Sequence, residues 1–250
     1  MYGQYKLKGY DDIVRHTGFV SRVYYGESEK HKRQYRFVAD WIEEAAALKP
    51  EAEILDLCCG TASSTSLLAA KGYRVTGIDM SGEMIRLAQK RLPPGSASRF
   101  ICGNVLVVPF GTDFDLALCL DMTFMFDRKA GVRLLKKIHH ALKSGGFLII
   151  ETYHKPAHPV ESMRITLPDG AYRCELYFDI KKGLLNSKGI IAGTNGASYG
   201  FTNTAYIYSE AEWRSMLKQT NFTVTCCYED FFKNALREDS RNIVVVAQKN

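Results

Sequence analysis

The apolar and polar positions of the chain change period repeatedly, and each change marks an element. Over residues 29–48, Val38, Trp41, Ile42 and Ala45 recur at three- and four-residue steps. That spacing puts one apolar stripe on a helix, which Pro50 ends. Residues 53–57, Glu-Ile-Leu-Asp-Leu, read as a strand feeding a glycine turn. Residues 63–71 read as a helix with Gly72 placed as its C-terminal cap, and 74–78 as a second strand. Ser81 is placed to cap the next helix, which carries Met84, Leu87 and Ala88 on one face and stops before Pro93-Pro94-Gly95. Residues 100–102 and 114–120 give two more strands, the second apolar throughout except at Asp115. Leu135, Ile138 and Leu142 mark a helix over residues 128–143, Ser144-Gly145-Gly146 a turn, and residues 147–150 another strand. Strands alternating with helices of this length predict a parallel sheet with right-handed crossovers. The unbroken apolar runs predict strands covered on both faces.

The pattern breaks after Glu151. Residues 153–208 contain three β-like runs, 172–180, 184–192 and 199–208, separated by Lys181-Lys182-Gly183 and Gly193-Thr194-Asn195-Gly196. They predict an antiparallel meander inserted into a doubly wound α/β sheet. The α/β pattern resumes at Ser209-Glu210-Ala211-Glu212, a capping box followed by Trp213, Met216 and Leu217 on one helical face. Residues 222–228 and 242–247 are the last two strands, joined by a loop holding Asp230, Arg237, Asp239 and Arg241.

Composition narrows the class. The 250 residues are 46% apolar and 24% charged, an ordinary globular balance for one large domain or one domain with an insertion. No run of about 18 apolar residues exists, so no spanning helix and no membrane partner are expected. The N-terminus lacks the apolar stretch of a signal peptide, which makes a cytoplasmic protein the expectation. An odd count of seven cysteines without C-x-x-C spacing argues against a disulfide framework and a zinc site, so no metal is expected. Cys102 and Cys119 lie in apolar runs that read as buried strands. The net charge is +6, and its densest cluster is Lys30-His31-Lys32-Arg33 with Arg36. At the start of a helix this reads as a solvated face rather than a nucleic-acid footprint, so nucleic acid is not an expected partner.

The segment that carries chemistry is Ile54-Leu55-Asp56-Leu57-Cys58-Cys59-Gly60-Thr61-Ala62. A strand runs into small residues and then a helix, which is where a doubly wound sheet holds a nucleotide-like ligand. A dinucleotide site would keep G-x-G-x-x-G; here only Gly60 remains, flanked by Cys58 and Ala62. Asp79 ends the second strand, 23 residues after Asp56 (79 − 56). A carboxylate there can accept hydrogen bonds from both hydroxyls of a ribose, or simply face the dipole of the helix that follows.

These residues resemble motif I and the following motif of class I S-adenosylmethionine-dependent methyltransferases. Cys102-Gly103-Asn104-Val105 is similar to the family's third motif, usually Gly-Asp, beside the adenine. Residues 114–119 resemble the fourth-strand motif, and Leu142-Lys143-Ser144-Gly145-Gly146 the turn before the fifth strand. Together the five motifs cover residues 50–152. The resemblance implies a mostly parallel seven-stranded sheet with an antiparallel last strand, and S-adenosylmethionine as cofactor, leaving S-adenosylhomocysteine as product. It places Asp56, Cys58, Gly60, Ala62, Asp79, Met80, Asn104, Val105, Cys119 and Leu120 at the cofactor. Two positions depart from the pattern: Asn104 replaces the usual Asp, and Ala62 the third glycine. An amide oxygen can still accept a hydrogen bond. It also implies a domain of residues 1–152 and 209–250 whose N-terminal helical segment folds over the site as a lid, with residues 153–208 as an inserted substrate cover.

The methyl carbon is already activated as a sulfonium, so the protein need only align an acceptor and, where required, remove a proton. Proton acceptors are sought at strand ends on the ligand side: Asp121, Met122 and Thr123 after the fourth strand, Glu151 to His154 after the fifth. His154 and Tyr25 are the candidate catalytic residues, with an ordinary surface histidine the alternative for His154. The signature of enzymes that methylate exocyclic base amines, Asn/Asp-Pro-Pro-Tyr, is absent. The expected reaction is methyl transfer to an O or N atom of a small-molecule acceptor, by a monomer or homodimer. The alternatives are a methyltransferase acting on RNA or protein, and a non-catalytic module that binds S-adenosylmethionine.

Overall fold

The structure, a computed structural model of the chain, describes residues 29–120, 126–156, 163–166, 172–192 and 198–250. Its strands and helices alternate as the apolar periods predict: α1 (Glu29–Ala45), β1 (Glu53–Leu57), α2 (Thr65–Ala70), β2 (Arg74–Asp79), α3 (Gly82–Gln89), β3 (Arg99–Cys102), β4 (Phe114–Cys119), α4 (Arg128–Ala141) and β5 (Leu142–Tyr153). Four strands follow, β6 (Met163–Thr166), β7 (Tyr172–Asp179), β8 (Leu184–Ala192) and β9 (Ser198–Tyr206), then α5 (Glu210–Gln219), β10 (Phe222–Tyr228) and β11 (Asn242–Lys249).

Seven strands form one sheet in the order β10-β11-β5-β4-β1-β2-β3. The pairs among β1 to β5 are parallel, and β11 runs antiparallel to both β5 and β10. Strand order therefore reverses between β1 and β4, and the carboxyl ends of these two strands are where a doubly wound sheet opens its ligand crevice. The apolar runs are unbroken because the sheet is buried on both faces. Leu55 and Leu57 of β1 and Val245 of β11 pack with Leu135, Ile138, Trp213 and Met216 of α4 and α5. Ile54, Leu116, Val244 and Val246 face the other way, toward Trp41, Ile42, Leu68 and Ile85.

Local signals set the boundaries. The Ser81 and Asp127 side chains accept from the N–H of Met84 and Ala130, and Ser209 with Glu212 forms the full capping box. Gly72, at φ +96°, ends α2 with the Gly72 N–H on the Ala69 carbonyl and the Tyr73 N–H on the Leu68 carbonyl. The turn expected at Ser144-Gly145-Gly146 is absorbed into β5 as a bulge. Phe114 pairs with Leu142 and Leu116 with Phe147, so β5 uses five residues (147 − 142) where β4 uses two (116 − 114). Gly145 takes φ +75°, and a Cβ on Gly146 would sit 3.0 Å from the Lys143 carbonyl oxygen.

The insertion is a four-stranded antiparallel sheet, β6-β7-β8-β9, one strand more than the three runs legible in the sequence. On β7, Cys174, Leu176 and Phe178 are buried while Arg173, Glu175 and Tyr177 are exposed, the alternation of a one-sided sheet. Its last predicted run stops at Tyr206. The Ile207 N–H donates to the Gly183 carbonyl, and Tyr208 turns back to bridge His154 beside the main sheet. The Tyr208 ring packs edge-on against Trp213, and its hydroxyl donates to the Phe126 carbonyl at 2.7 Å. No described helix is long and apolar enough to cross a membrane.

Candidate active site

β1 ends in a loop whose backbone is left-handed at every second residue: Cys58 at φ 58°, Gly60 at 53° and Ala62 at 53°. Glycine adopts this region freely, while a residue with a Cβ is held there at a cost of about 1–2 kcal/mol. The loop is nonetheless tied down. The Cys59 N–H donates to the Ile78 carbonyl on β2, and the Ala62 N–H to the Cys59 carbonyl. Gly77 permits the tie, because a Cβ there would lie 2.3 Å from the Phe100 ring and 2.9 Å from the Cys59 sulfur.

Two carboxylates flank the loop and differ sharply. Asp79, half-buried at the end of β2, accepts from the Gly60 N–H at 3.0 Å on one oxygen and from the Ser81 N–H at 2.9 Å on the other. Asp56 is buried and accepts from the Thr65 hydroxyl at 2.6 Å. Burial pushes its pKa up to about 7, against the lowering effect of that hydrogen bond and with a smaller push from Asp79. Burial likewise raises the thiols of Cys58 and Cys119, so neither is a thiolate nucleophile. Cys119 is buried at the end of β4, and Leu120 beyond it is half-buried. Met80, 40% exposed, offers an apolar surface at the mouth.

Cys102 departs from expectation. It is exposed rather than buried, because β3 is the edge strand and Cys102 its last residue, with its thiol 3.5 Å from the Met80 carbonyl oxygen. Beyond it, the Asn104 side-chain oxygen accepts from the Leu106 N–H at 2.8 Å, and its backbone carbonyl accepts from Val107 and Val108. Val105 is buried in the core beneath this turn. Lys137 of α4 secures the turn from below. Its ammonium donates to the carbonyls of Val105 at 2.8 Å and Val108 at 2.9 Å and lies 4.1 Å from the centre of the Phe110 ring. Burial lowers its pKa. Sequence reading passed over Lys137, since a lysine between apolar helix positions looks like part of a solvated face.

His154 is not a surface histidine: it is 5% exposed. Its Nδ1 lies 2.9 Å from the Ser240 carbonyl oxygen, and its N–H donates to the Arg241 carbonyl. A carbonyl only accepts, so the neutral ring carries its proton on Nδ1 and presents Nε2 as acceptor. Tyr25, Asp121, Met122 and Thr123 lie outside the described residues. A separate cavity of about 260 Å³ sits at the amino ends of the strands, lined by Glu53, Arg74, Arg99 and Asp113. It is at the opposite edge from these residues, and Arg74 there is already paired with Glu53 and Glu51.

The donor set at the carboxyl ends fits S-adenosylmethionine. A carboxylate stands at the end of β2, an exposed thioether lies beside it, and the β1 loop has small residues through which backbone can approach a ligand. Comparisons with known proteins agree. A family described as a methyltransferase domain matches residues 54–146. The protein YqeM of Bacillus subtilis is 31% identical over 141 residues, 55% of each chain. A demethylmenaquinone methyltransferase of Lysinibacillus sphaericus is 32% identical over 108 residues, 41% of this chain and 45% of that one. The chain thus spans about half the length of the curated relatives it matches. An S-adenosylmethionine-dependent methyltransferase of Clostridium acetobutylicum shares the fold, with a TM-score of 0.74 over 97% of this chain and 99% of that one, at 16% identity. Five motifs in order, set on this sheet, and the family match over residues 54–146 mark that segment as a methyltransferase domain, on a fold shared with S-adenosylmethionine-dependent methyltransferases.

Proposed function

We propose that the chain transfers a methyl group from S-adenosylmethionine to an O or N atom of a small-molecule acceptor. Bound at the crevice, the cofactor supplies a methyl group already activated on a sulfonium. In this reading Asp79 accepts the ribose hydroxyls, Met80 and Asn104 flank the adenine, and the loop from Asp56 to Ala62 holds the methionine end. His154 takes the proton that an O–H or N–H acceptor releases, through Nε2, while the Ser240 carbonyl holds the ring in that tautomer. Tyr25 is the second candidate, in the segment before α1.

The observation that carries the small-molecule reading is the junction at the end of β5. The second sheet leaves the main sheet after His154 and returns at Tyr208, which bridges His154. Residues 153–208 therefore rise from the edge that bounds the crevice, where a cover can exclude water from a compact acceptor. The test is a metabolite-library screen that follows conversion of S-adenosylmethionine to S-adenosylhomocysteine, with bulk RNA and unfolded protein as parallel substrates. Turnover on a small molecule is expected. Methylation confined to RNA or protein would overturn the reading. Cofactor binding itself is checked separately, by a rise in melting temperature with S-adenosylhomocysteine and none with NAD.

A further inference from the structure

The first half of α1 carries Lys30, Lys32, Arg33 and Arg36, and the second half Asp40, Glu43 and Glu44. This order is the reverse of what the helix macrodipole favours, since cations are best placed near a C-terminus. The fold explains only part of it. Asp40 and Glu43 hold Lys71, Glu44 holds Lys233, and Glu29 holds Lys32. Lys30, Arg33 and Arg36 are exposed and have no ion-pair partner among the described residues. Charges that oppose the local dipole and form no ion pair among the described residues point to a role outside the fold.

An apolar tip lies among these cations. Phe37 is 38% exposed, one turn beyond Arg33 on the same side of the helix. It stacks on Phe232, 73% exposed, at 4.8 Å between ring centres. The neighbouring Phe231 is fixed edge-on against Trp41 at 5.1 Å, so the loop is anchored while Phe232 is presented. Phe232 belongs to the connection between β10 and β11. β10 runs parallel to β5, so this connection leaves from the same sheet edge as the crevice, and its far end reaches His154 through Ser240 and Arg241.

We propose that this patch docks the protein on an anionic lipid bilayer. Phe232 and Phe37 enter the boundary between headgroups and acyl chains, and Lys30, Arg33 and Arg36 face the lipid phosphates. The crevice edge is then held against the membrane surface, with no segment crossing it. Three observations favour a bilayer over a nucleic acid. The two rings stack on each other, so each keeps one face from a base. The cations without an ion-pair partner among the described residues, Lys30, Arg33 and Arg36, span only about 9 Å of a convex helix. Asp40 follows within a turn, where a tracking phosphate backbone would be repelled.

The test is co-sedimentation of the full chain with vesicles of phosphatidylcholine alone or with about one-third phosphatidylglycerol, at low and high salt. Binding to the anionic vesicles is expected, weakening with salt. The pair Arg33→Gln and Arg36→Gln should lower partitioning by about 30-fold, roughly fivefold per charge. Phe232→Ser should lower it by about tenfold. S-adenosylhomocysteine affinity and melting temperature, measured on the same variants, should stay at wild-type values; this keeps a failed cofactor assignment or a misfolded variant distinct from a failed docking surface. Absent or charge-independent vesicle binding would overturn the proposal. So would partitioning that survives the substitutions, or an RNA oligonucleotide binding through the same residues while vesicles do not. Occupation of the patch by residues 1–28 would show itself as absent vesicle binding.

Discussion

Each oxygen of Asp79 accepts one backbone N–H, from Gly60 and from Ser81, before any ligand is considered. Its carboxylate therefore sets the loop, and in the proposed function it also offers acceptors to a ribose. Asp79→Ala should weaken S-adenosylhomocysteine binding by roughly tenfold to a hundredfold and also lower stability by about 1.5–3 kcal/mol, the range for a hydrogen bond to a charged group. Calorimetry and urea denaturation on the same protein separate the two effects; unchanged stability would show that the Gly60 link carries no weight. Asp56 makes the opposite case. Its folded pKa of about 7 lies above its ordinary 3.8 because burial disfavours the charge. The folded state thus holds its proton while the unfolded chain loses it, and stability falls as pH rises from about 4 to 7. Asp56→Asn keeps an oxygen for the Thr65 hydroxyl and removes this slope, so its urea midpoint should gain on the wild type steadily from pH 4.5 to 7.5. A constant difference across that range would refute the assignment. The sequence marks both acids as notable, since each ends a strand beside a turn. It does not distinguish them, because the burial of Asp56 depends on packing against α2, and the partner of Asp79 is a backbone group 19 residues away.

At the scale of elements, the same contrast between local and distant causes decides what was legible. Helix starts at Ser81 and Ser209 and the end at Gly72 were readable because caps are local chemistry within four residues. The bulge at residues 143–146 was read as a turn, since glycine-rich sequence signals a change of direction without saying whether the neighbouring strand absorbs it. β6 was missed because four residues give too short an alternation to stand out. The edge position of β3, which exposes Cys102, follows from sheet order and not from the run itself. Lys137 is a case where this matters for function. It joins α4 to the turn that carries Asn104, through two hydrogen bonds and the Phe110 ring. Lys137→Met would leave the Val105 and Val108 carbonyls unpaired and free the turn. Under the proposed placement of adenine, cofactor affinity should fall about tenfold, with kcat at saturating cofactor nearly unchanged. A loss of kcat with unchanged cofactor KM would place its role elsewhere.

Across the whole molecule, the main sheet and the second sheet divide the work in the proposed function, and their junction determines how the division can be tested. A cut from Tyr153 to Tyr208, the boundaries legible in the sequence, would remove a residue the main domain needs. Tyr208 is 6% exposed, packs on Trp213 and holds the Phe126 carbonyl at the entry to α4. His154 likewise keeps its bonds to Ser240 and Arg241 without the second sheet. The informative variant therefore joins Lys155 to Ile207 through a glycine-rich linker of about a dozen residues. The two chain segments lie side by side but run parallel there, with the Lys155 N–H on the Tyr208 carbonyl, so the linker must double back rather than close a hairpin. The proposed cofactor residues all come from β1 to β4 and their loops, so this variant should fold, melt in one transition and bind S-adenosylhomocysteine with near wild-type affinity. Turnover on the acceptor found by screening should fall by a factor of a hundred or more, on the order of the loss expected when positioning and water exclusion fail together. Molecular mass is measured alongside, because a variant that changes from dimer to monomer while keeping turnover would mark the second sheet as an assembly surface. A soluble variant with full turnover and unchanged mass would refute the cover.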